Sequence, residues 1–361
     1  MMSNARVQSG AAGTRPLRRN RTRRRGTARR MAFAAALGFA MLWLWAPAGL
    51  SGAVGQGFDF FAIGDVPYIN YGIAGNAADM EERFANLIAA INAARPVFTV
   101  HVGDIKGGGS PCTDANLARV LGFFSQFEDA LVYTPGDNEW TDCHRRSNGG
   151  HDPLKRLERV REIFFAAPRR SLGARPIPLA AQSDEKVHSA YVENARWERG
   201  GVVFATLHVV GSNNNLDSRP GAKEEFTARD AANAAWLRLA FAQARKTSAR
   251  GVVLFMQADP FLPALTLMGS GFNGLLAAFV EETSAFARPV LLIHGDGHEY
   301  LVDQPLRREG ATVTNFTRVQ VFGDQEVHAV RVRVGATGEP VFSVAPFRIL
   351  ANPTRFRDWP R

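Results

Sequence analysis

Phe98-Thr99-Val100-His101-Val102-Gly103-Asp104 is a short apolar run that stops at a glycine followed by an aspartate. The arrangement occurs three more times. Phe60-Phe61-Ala62-Ile63 leads to Gly64-Asp65, Leu131-Val132-Tyr133-Thr134-Pro135 to Gly136-Asp137, and Leu291-Leu292-Ile293-His294 to Gly295-Asp296. Short apolar runs with helical patterns between them read as parallel strands buried on both faces. In open α/β sheets the ligand site lies just beyond the carboxyl ends of such strands. Four strands would therefore deliver four aspartates to one crevice. Packing those anions together is very unfavourable unless a cation holds them or some are protonated. A metal site is the simplest reading.

Working outward, the pattern predicts strand, helix, strand, helix, strand from Phe58. Met80, Phe84, Leu87, Ile88 and Ile91 form one face of a helix near Asp79 to Ala94. Leu117, Val120, Leu121 and Phe124 do the same near Thr113 to Phe127, with Thr113 or Asp114 as its cap. A basic, Gly-containing loop at residues 144–150 breaks the alternation, and a short helix near Leu154 to Phe165 follows it. Runs near Ala190 to Trp197 and Val202 to Val210, joined by Glu198-Arg199-Gly200-Gly201, predict an antiparallel hairpin. A helix from about Ala228 to Arg245, a strand at Val252 to Met256, a helix at Leu275 to Phe286 and a strand at Val290 to Ile293 come next. The tail from Val313 to Val344 alternates like antiparallel strands, with Arg331 and Arg333 on the face opposite Val330, Val332 and Val334. There is no internal repeat.

The chain has 361 residues and a formal charge of +9, but the charge is unevenly spread. Ten of the 43 basic side chains and none of the 34 acidic ones fall within residues 1–53, so the remainder is close to neutral. That removes the basic footprint a nucleic-acid-binding domain would carry. The Arg-rich stretch precedes an almost continuous apolar run from Met31 to Trp45 and then Ser51-Gly52-Ala53. This is the form of a signal peptide, or of an uncleaved membrane anchor. Either places residues 54–361, read as a single domain, outside the cytoplasm in the periplasm or extracellular space. In that compartment the two cysteines, Cys112 and Cys143, point to a disulfide on the rim of the sheet.

Taken in order, Gly64-Asp65, Gly103-Asp104, Gly136-Asp137-Asn138-Glu139 and Gly295-Asp296-Gly297-His298 resemble the signature blocks of the calcineurin-like metallophosphoesterases. The resemblance spans Phe58 to Val344. It implies an α/β fold of two facing mixed β-sheets flanked by helices, and hydrolysis of a phosphomonoester or phosphodiester by metal-activated hydroxide. Two cations about 3.5–4 Å apart would clamp the attacking and leaving oxygens.

The chain departs from that pattern in almost every block. Pro67 stands where the family has a metal-binding histidine, and Gly107 where it has a second aspartate. Direct alignment puts Asp137 at the ligand asparagine and Asn138 at the catalytic histidine, whereas a one-residue slip keeps Asn138 as the ligand. Gln257 or Asp259 must substitute for a lone histidine, and Asp296 replaces another while His298 is retained. Carried over residue by residue, one metal would be held by Asp65, Asp104 and His298. The other would be held by Asp104, Asp137 and Asp296, with Asp259 in reach. Carboxylate in place of imidazole favours Mn²⁺, Mg²⁺ or iron over zinc. Asn138 cannot donate a proton to the leaving group, so His144 and His294 are the substitutes. Lys106, Arg145 and Arg146 could neutralise a small phosphorylated substrate, and Ser212-Asn213-Asn214 could line the pocket. Membrane contact is expected only through an uncleaved anchor.

A family member that binds a ligand or partner without hydrolysis is the competing expectation, motivated by the lost histidines. A serine hydrolase is excluded, because Gly269-Ser270-Gly271 lacks the spacing of a nucleophile elbow.

Overall fold

The computed structural model describes residues 55–69, 76–262 and 270–353. The expected leader, residues 1–53, lies outside them. Among the described residues no helix is long and apolar enough to cross a membrane.

Two sheets carry the chain. The first has five strands in the order β14-β13-β1-β2-β3. These are β1 (Phe58–Ile63), β2 (Thr99–His101), β3 (Leu131–Tyr133), β13 (Ala329–Val334) and β14 (Phe342–Phe347). The second has seven, in the order β4-β5-β6-β7-β8-β12-β9. They are β4 (Ala180–Ala181), β5 (Ala195–Arg199), β6 (Val202–Thr206), β7 (Gly251–Met256), β8 (Val290–His294), β9 (Leu301–Asp303) and β12 (Phe316–Gln320). A two-residue hairpin, β10 (Arg307–Arg308) with β11 (Ala311–Thr312), stands apart from both.

The sheets face each other across a shared core. Phe60 and Ala62 of β1, Val100 of β2 and Val132 of β3 meet Phe204 of β6, Val253 and Phe255 of β7, and Leu291 and Ile293 of β8. Phe60 stacks on Phe98 at 5.0 Å and meets Phe204 edge-on at 5.6 Å. Alternate residues serve the outer faces. Phe61 and Ile63 pack under α1 (Asn76–Ala94) and α2 (Asp114–Phe124). Val252, Leu254 and Met256 pack under α5 (Ala222–Lys246) and α6 (Asn273–Phe286). Central strands buried on both sides cannot alternate polar and apolar, so they read as continuous apolar runs. Each large side chain so enclosed contributes about 1.5–3 kcal/mol of transfer free energy.

Parallel pairing runs through β1-β2-β3 and through β6-β7-β8-β12, and antiparallel strands close the edges. The expected hairpin forms, with Arg196 opposite Ala205 in β5 and β6. Thr113 caps α2, accepting from the Asn116 amide at 3.2 Å. The tail differs from the expectation. β12 lies parallel to β8 and antiparallel to β9, and only β13 and β14 return to the first sheet as an antiparallel pair beside β1. A period of two reports which faces are buried, not which way the neighbour runs. Arg331 and Arg333 do face away from the core, towards the Asp59 carboxylate.

Candidate functional site

The strands of both sheets end on one crevice of about 560 Å³, lined among others by Tyr68, Asp104, Asp137, Asn138, Asp296 and His298. Asp65, at the end of β1, is fully buried beside it. The two sheets are joined here by hydrogen bonds. The Asp296 amide, past β8, donates to both Asp65 oxygens at 3.1 and 3.2 Å. Within the second sheet, the Gly295 amide donates to the Gln257 carbonyl past β7 at 3.0 Å.

The recurring glycine has a steric reason. A Cβ on Gly136 would overlap the Asp104 carboxylate, and one on Gly295 would stand 2.5 Å from Asp65 Oδ2. These two glycines clear space for the carboxylate of another block, whereas a Cβ on Gly64 would meet Val102 and one on Gly103 the Gly136 nitrogen and Gln257. The aspartates turn sharply off their strands. Asp65, Asp104 and Asp296 have φ of 54°, 56° and 72°, and His298 has 62°. Aspartate tolerates this left-handed backbone better than most residues.

At the centre of the cluster stands Tyr68, which sequence reasoning missed. Its hydroxyl lies 3.1 Å from Asp104 Oδ2, 3.5 Å from Asp65 Oδ1 and 3.2 Å from His298 Nε2, and accepts from Asn138 Nδ2 at 3.1 Å. Asn138 also donates to Asp104 through its side chain at 2.8 Å and its backbone at 3.2 Å. The signal was a tyrosine three residues after Asp65, but its path past Pro67 is not legible in one dimension. Among the described residues, no three Asp, Glu, His or Cys side chains stand together as a metal-binding group.

The electrostatics are those of anions confined without enough counter-charge. Burial, the negative charges of Asp296 and Asp137 adding to it, lifts the Asp65 carboxyl to about 7. Burial and Asp137 lift Asp296 to about 7, and burial with four neighbouring carboxylates holds Asp104 well above its ordinary range. His298 is raised. Burial opposes its charge, but the hydrogen bond that it donates to Asp324 and the carboxylate of Asp65 outweigh it.

The remaining expected site residues are placed as follows. Asp137 accepts from Ser212 Oγ at 2.7 Å, and the same hydroxyl lies 3.1 Å from Asp142. Asp259 offers its amide to Asp296 at 3.2 Å, while its carboxylate is held by Arg318 at 3.0 and 3.1 Å and by the Phe261 amide. Gln257 donates to Asp296 at 3.3 Å. His294 is buried, its Nδ1 at 2.8 Å from the Gly295 carbonyl, and burial lowers its pKa to about 4. His144, exposed at the end of the short 3-10 helix Thr141–His144, lies 3.0 Å from Arg219. Neither histidine lines the crevice. Arg145 does, ion-paired to Asp142 at 2.5 Å. Lys106 is buried, its amine at 3.0 Å from the Gly107 carbonyl, and burial lowers it to about 8.

Two features frame the rim. Cys112 and Cys143 form the expected disulfide, tying the loop past β2 to the loop past β3. Ser212, Asn213, Asn214 and Asn215 are four successive residues with φ between 49° and 58°, a left-handed turn that includes the short segment α4 (Gly211–Asn214). Such backbone costs about 1–2 kcal/mol per residue and concentrates at functional sites. A larger groove of about 940 Å³ between α6 and β10 is mainly apolar and lies away from the aspartates.

No protein-family model matches the chain, and no curated protein does. Solved structures do. A dimetal phosphatase from Danio rerio superposes with a TM-score of 0.49 at 13% identity, covering 80% of this chain and 99% of that one. A purple acid phosphatase from yellow lupin seeds gives 0.49 at 10% identity, over 83% of this chain and 53% of that one. A structure of PhoD gives 0.46 at 11%, over 81% and 68%.

Proposed function

We propose that the chain is an exported hydrolase of phosphate esters that works with divalent cations. The observation that supports this reading is that Asp104, Asp137, Asp296 and His298 line one crevice at the carboxyl ends of strands from both sheets, with Asp65 buried beside it. Three of those carboxyls are pushed up in pKa, which is what carboxylates do where a cation belongs. The disulfide supports export.

Asp65, Asp104 and His298 would hold one cation, and Asp104, Asp137 and Asp296 the other. Their mainly carboxylate oxygens suit Mn²⁺, Mg²⁺ or iron better than zinc. Bound cations would supply Lewis-acid polarisation of the phosphoryl group. The chain's own residues do the rest. The Arg145 guanidinium lines the crevice and would bind phosphoryl oxygens, while Asn138 holds Asp104 in place. Ser212 fixes the orientation of Asp137. Asp324 orients the His298 ring from behind, at 3.1 Å from Nδ1. Asp142, on the crevice wall beside Arg145 and Ser212, would exchange a proton with the leaving group; His144 and His294 do not line that crevice.

Turnover of nitrophenyl phosphate and of its diester by the purified chain with Mn²⁺ tests the reading. Loss on chelation and recovery on Mn²⁺ is the expected result, and absence of both turnover and cation binding overturns it. A second reading, a binding protein without hydrolysis, is favoured by Pro67 and Asn138 standing where the resembled family has histidines. Cation binding without turnover of either ester would select it.

A further inference from the structure

Ser212, Asn213, Asn214 and Asn215, at the lip of the crevice, hold φ of 49°, 53°, 56° and 58° in succession, and none is glycine. Backbone in this region persists only where its surroundings over-determine it. The support comes from outside the turn, from Arg229.

Arg229 lies on α5, is fully buried and does not line the crevice. All five of its N–H donors are used. Nη1 donates to the His208 carbonyl at 2.8 Å and to Asn214 Oδ1 at 2.6 Å. Nη2 donates to the Asn214 carbonyl at 3.0 Å and to Glu225 Oε2 at 3.1 Å, and Nε to Glu225 Oε1 at 2.6 Å. Three of these bonds hold the segment that makes the turn. Asn233, one helical turn further on, donates to the same His208 carbonyl at 2.7 Å. Lysine could not substitute, because an ammonium is a point charge with three donors and lacks the planar fork that reaches several oxygens at once.

The turn in turn bounds Asp137, which lines the crevice. Ser212 Oγ donates to Asp137 Oδ2 at 2.7 Å, and a Cβ on Gly211 would stand 2.9 Å from Asp137 Oδ1. The main chain of Asp137 is held from another side, since the Trp140 amide donates to its carbonyl at 3.2 Å. The Arg229 guanidinium lies 5.4 Å from the centre of the Trp140 ring, so one buried side chain touches both supports of Asp137.

We infer that Arg229 is a positioning residue for the hydrolysis, setting where the Asp137 carboxylate stands by holding the turn that bears Ser212. This rests on the function proposed above.

The test compares the full chain with Arg229→Lys, Ser212→Ala and the double variant, each shown to fold by circular dichroism, in turnover of nitrophenyl phosphate with Mn²⁺. Asn214→Gly keeps the left-handed backbone and removes an Arg229 acceptor, and it takes the place of Arg229→Lys if that variant does not fold. Arg229→Lys is expected to lower kcat about 10–100-fold with KM within about twofold of the parent, as a displaced reacting group does. Both substitutions act on Asp137 through one hydroxyl, so the double variant is expected to fall no further than the lower single. Hydrogen exchange on the chelated chain reads the contact without turnover. The amides of Asn214, Asn215 and Leu216, which donate within the turn, should exchange about tenfold faster in Arg229→Lys while those of β7 do not change. Unchanged kcat or unchanged exchange in the turn overturns the inference. So do losses that multiply in the double variant, or exchange that rises equally in β7, both of which mark a general loss of stability. A parent chain without ester turnover overturns the proposed function and this role with it. A hydrolytic parent matched by Arg229→Lys overturns this inference alone.

Discussion

Gly136 sits so close to Asp104 that a methyl group on its α-carbon would overlap the carboxylate and stand 2.5 Å from the Asp104 backbone nitrogen. The two belong to different loops, and the glycine exists at the end of β3 because of what lies at the end of β2. Gly136→Ala is therefore expected to destabilise the fold by about 3 kcal/mol, since a packed backbone cannot yield as a flexible side chain can. Urea unfolding measures it, and a loss under about 0.5 kcal/mol would contradict the steric account.

Asp104 is the carboxylate assigned to both cations, so Asp104→Asn should lower hydrolysis of nitrophenyl phosphate by about 10³-fold. The same change removes a buried anion crowded by Asp137, Glu139, Asp65 and Asp296. The chelated variant should then melt higher than the chelated parent at pH 8. Activity within tenfold of the parent would remove Asp104 from the cation site.

The strands that carry the site were legible because burial on both faces writes itself as unbroken apolar sequence, as in Leu291-Leu292-Ile293. The aspartates were legible for the same reason, since they mark where those strands stop. What the sequence did not disclose depends on partners far along the chain. Arg318 holds the Asp259 carboxylate from 59 residues away, and nothing near Asp259 announces it. The direction of β12 is set by β8, and alternation through Thr317, Val319 and Val321 carries no record of direction. Tyr68 reaches Asp104, His298 and Asn138 only through the course of the loop past β1.

Stability should depend on pH in opposite senses at two places. Asp65 and Asp296 titrate near 7 when folded and near 4 when unfolded, so their contribution is present below about 4 and is lost as pH rises through 7. Burial holds His101 neutral, with its pKa lowered to about 4. Its contribution is present above about 6.5 and is lost as pH falls towards 4. Above pH 6.5 His101 no longer acts; His298, raised by Asp324 and Asp65, loses its contribution in the same direction as the carboxylates, and Lys106, lowered to about 8, acts in the opposite sense from there upward. The chelated protein is expected to lose on the order of a few kcal/mol between pH 6.5 and 8, and added Mn²⁺ to cancel the loss. Thermal melting across that range checks it, and a flat profile in chelator would contradict it.

Cys112 and Cys143 are 31 residues apart in sequence and bonded. Closing a loop of that length restricts the unfolded chain by about 3–4 kcal/mol. Replacing both with serine should lower the unfolding free energy by about that amount. It should also weaken ester binding, because the bridge joins the Gly107–Gly109 loop to the one bearing Asn138 and Arg145. Denaturant unfolding and KM together read both effects.

The left-handed turn at Ser212 to Asn215 constrains what evolution or an engineer can write there. Glycine would relax the backbone at each position, but it would release Asp137 from Ser212, and the Gly271 amide and carbonyl from Asn213 and Asn214. It would also strip Arg229 of its Asn214 acceptor and Glu225 of its Asn215 donor. Larger or β-branched residues would keep neither the backbone nor the bonds. This lip of the crevice is thus restricted to an alphabet of two or three short polar residues, and its vocabulary should stay narrow while the surrounding loops diversify.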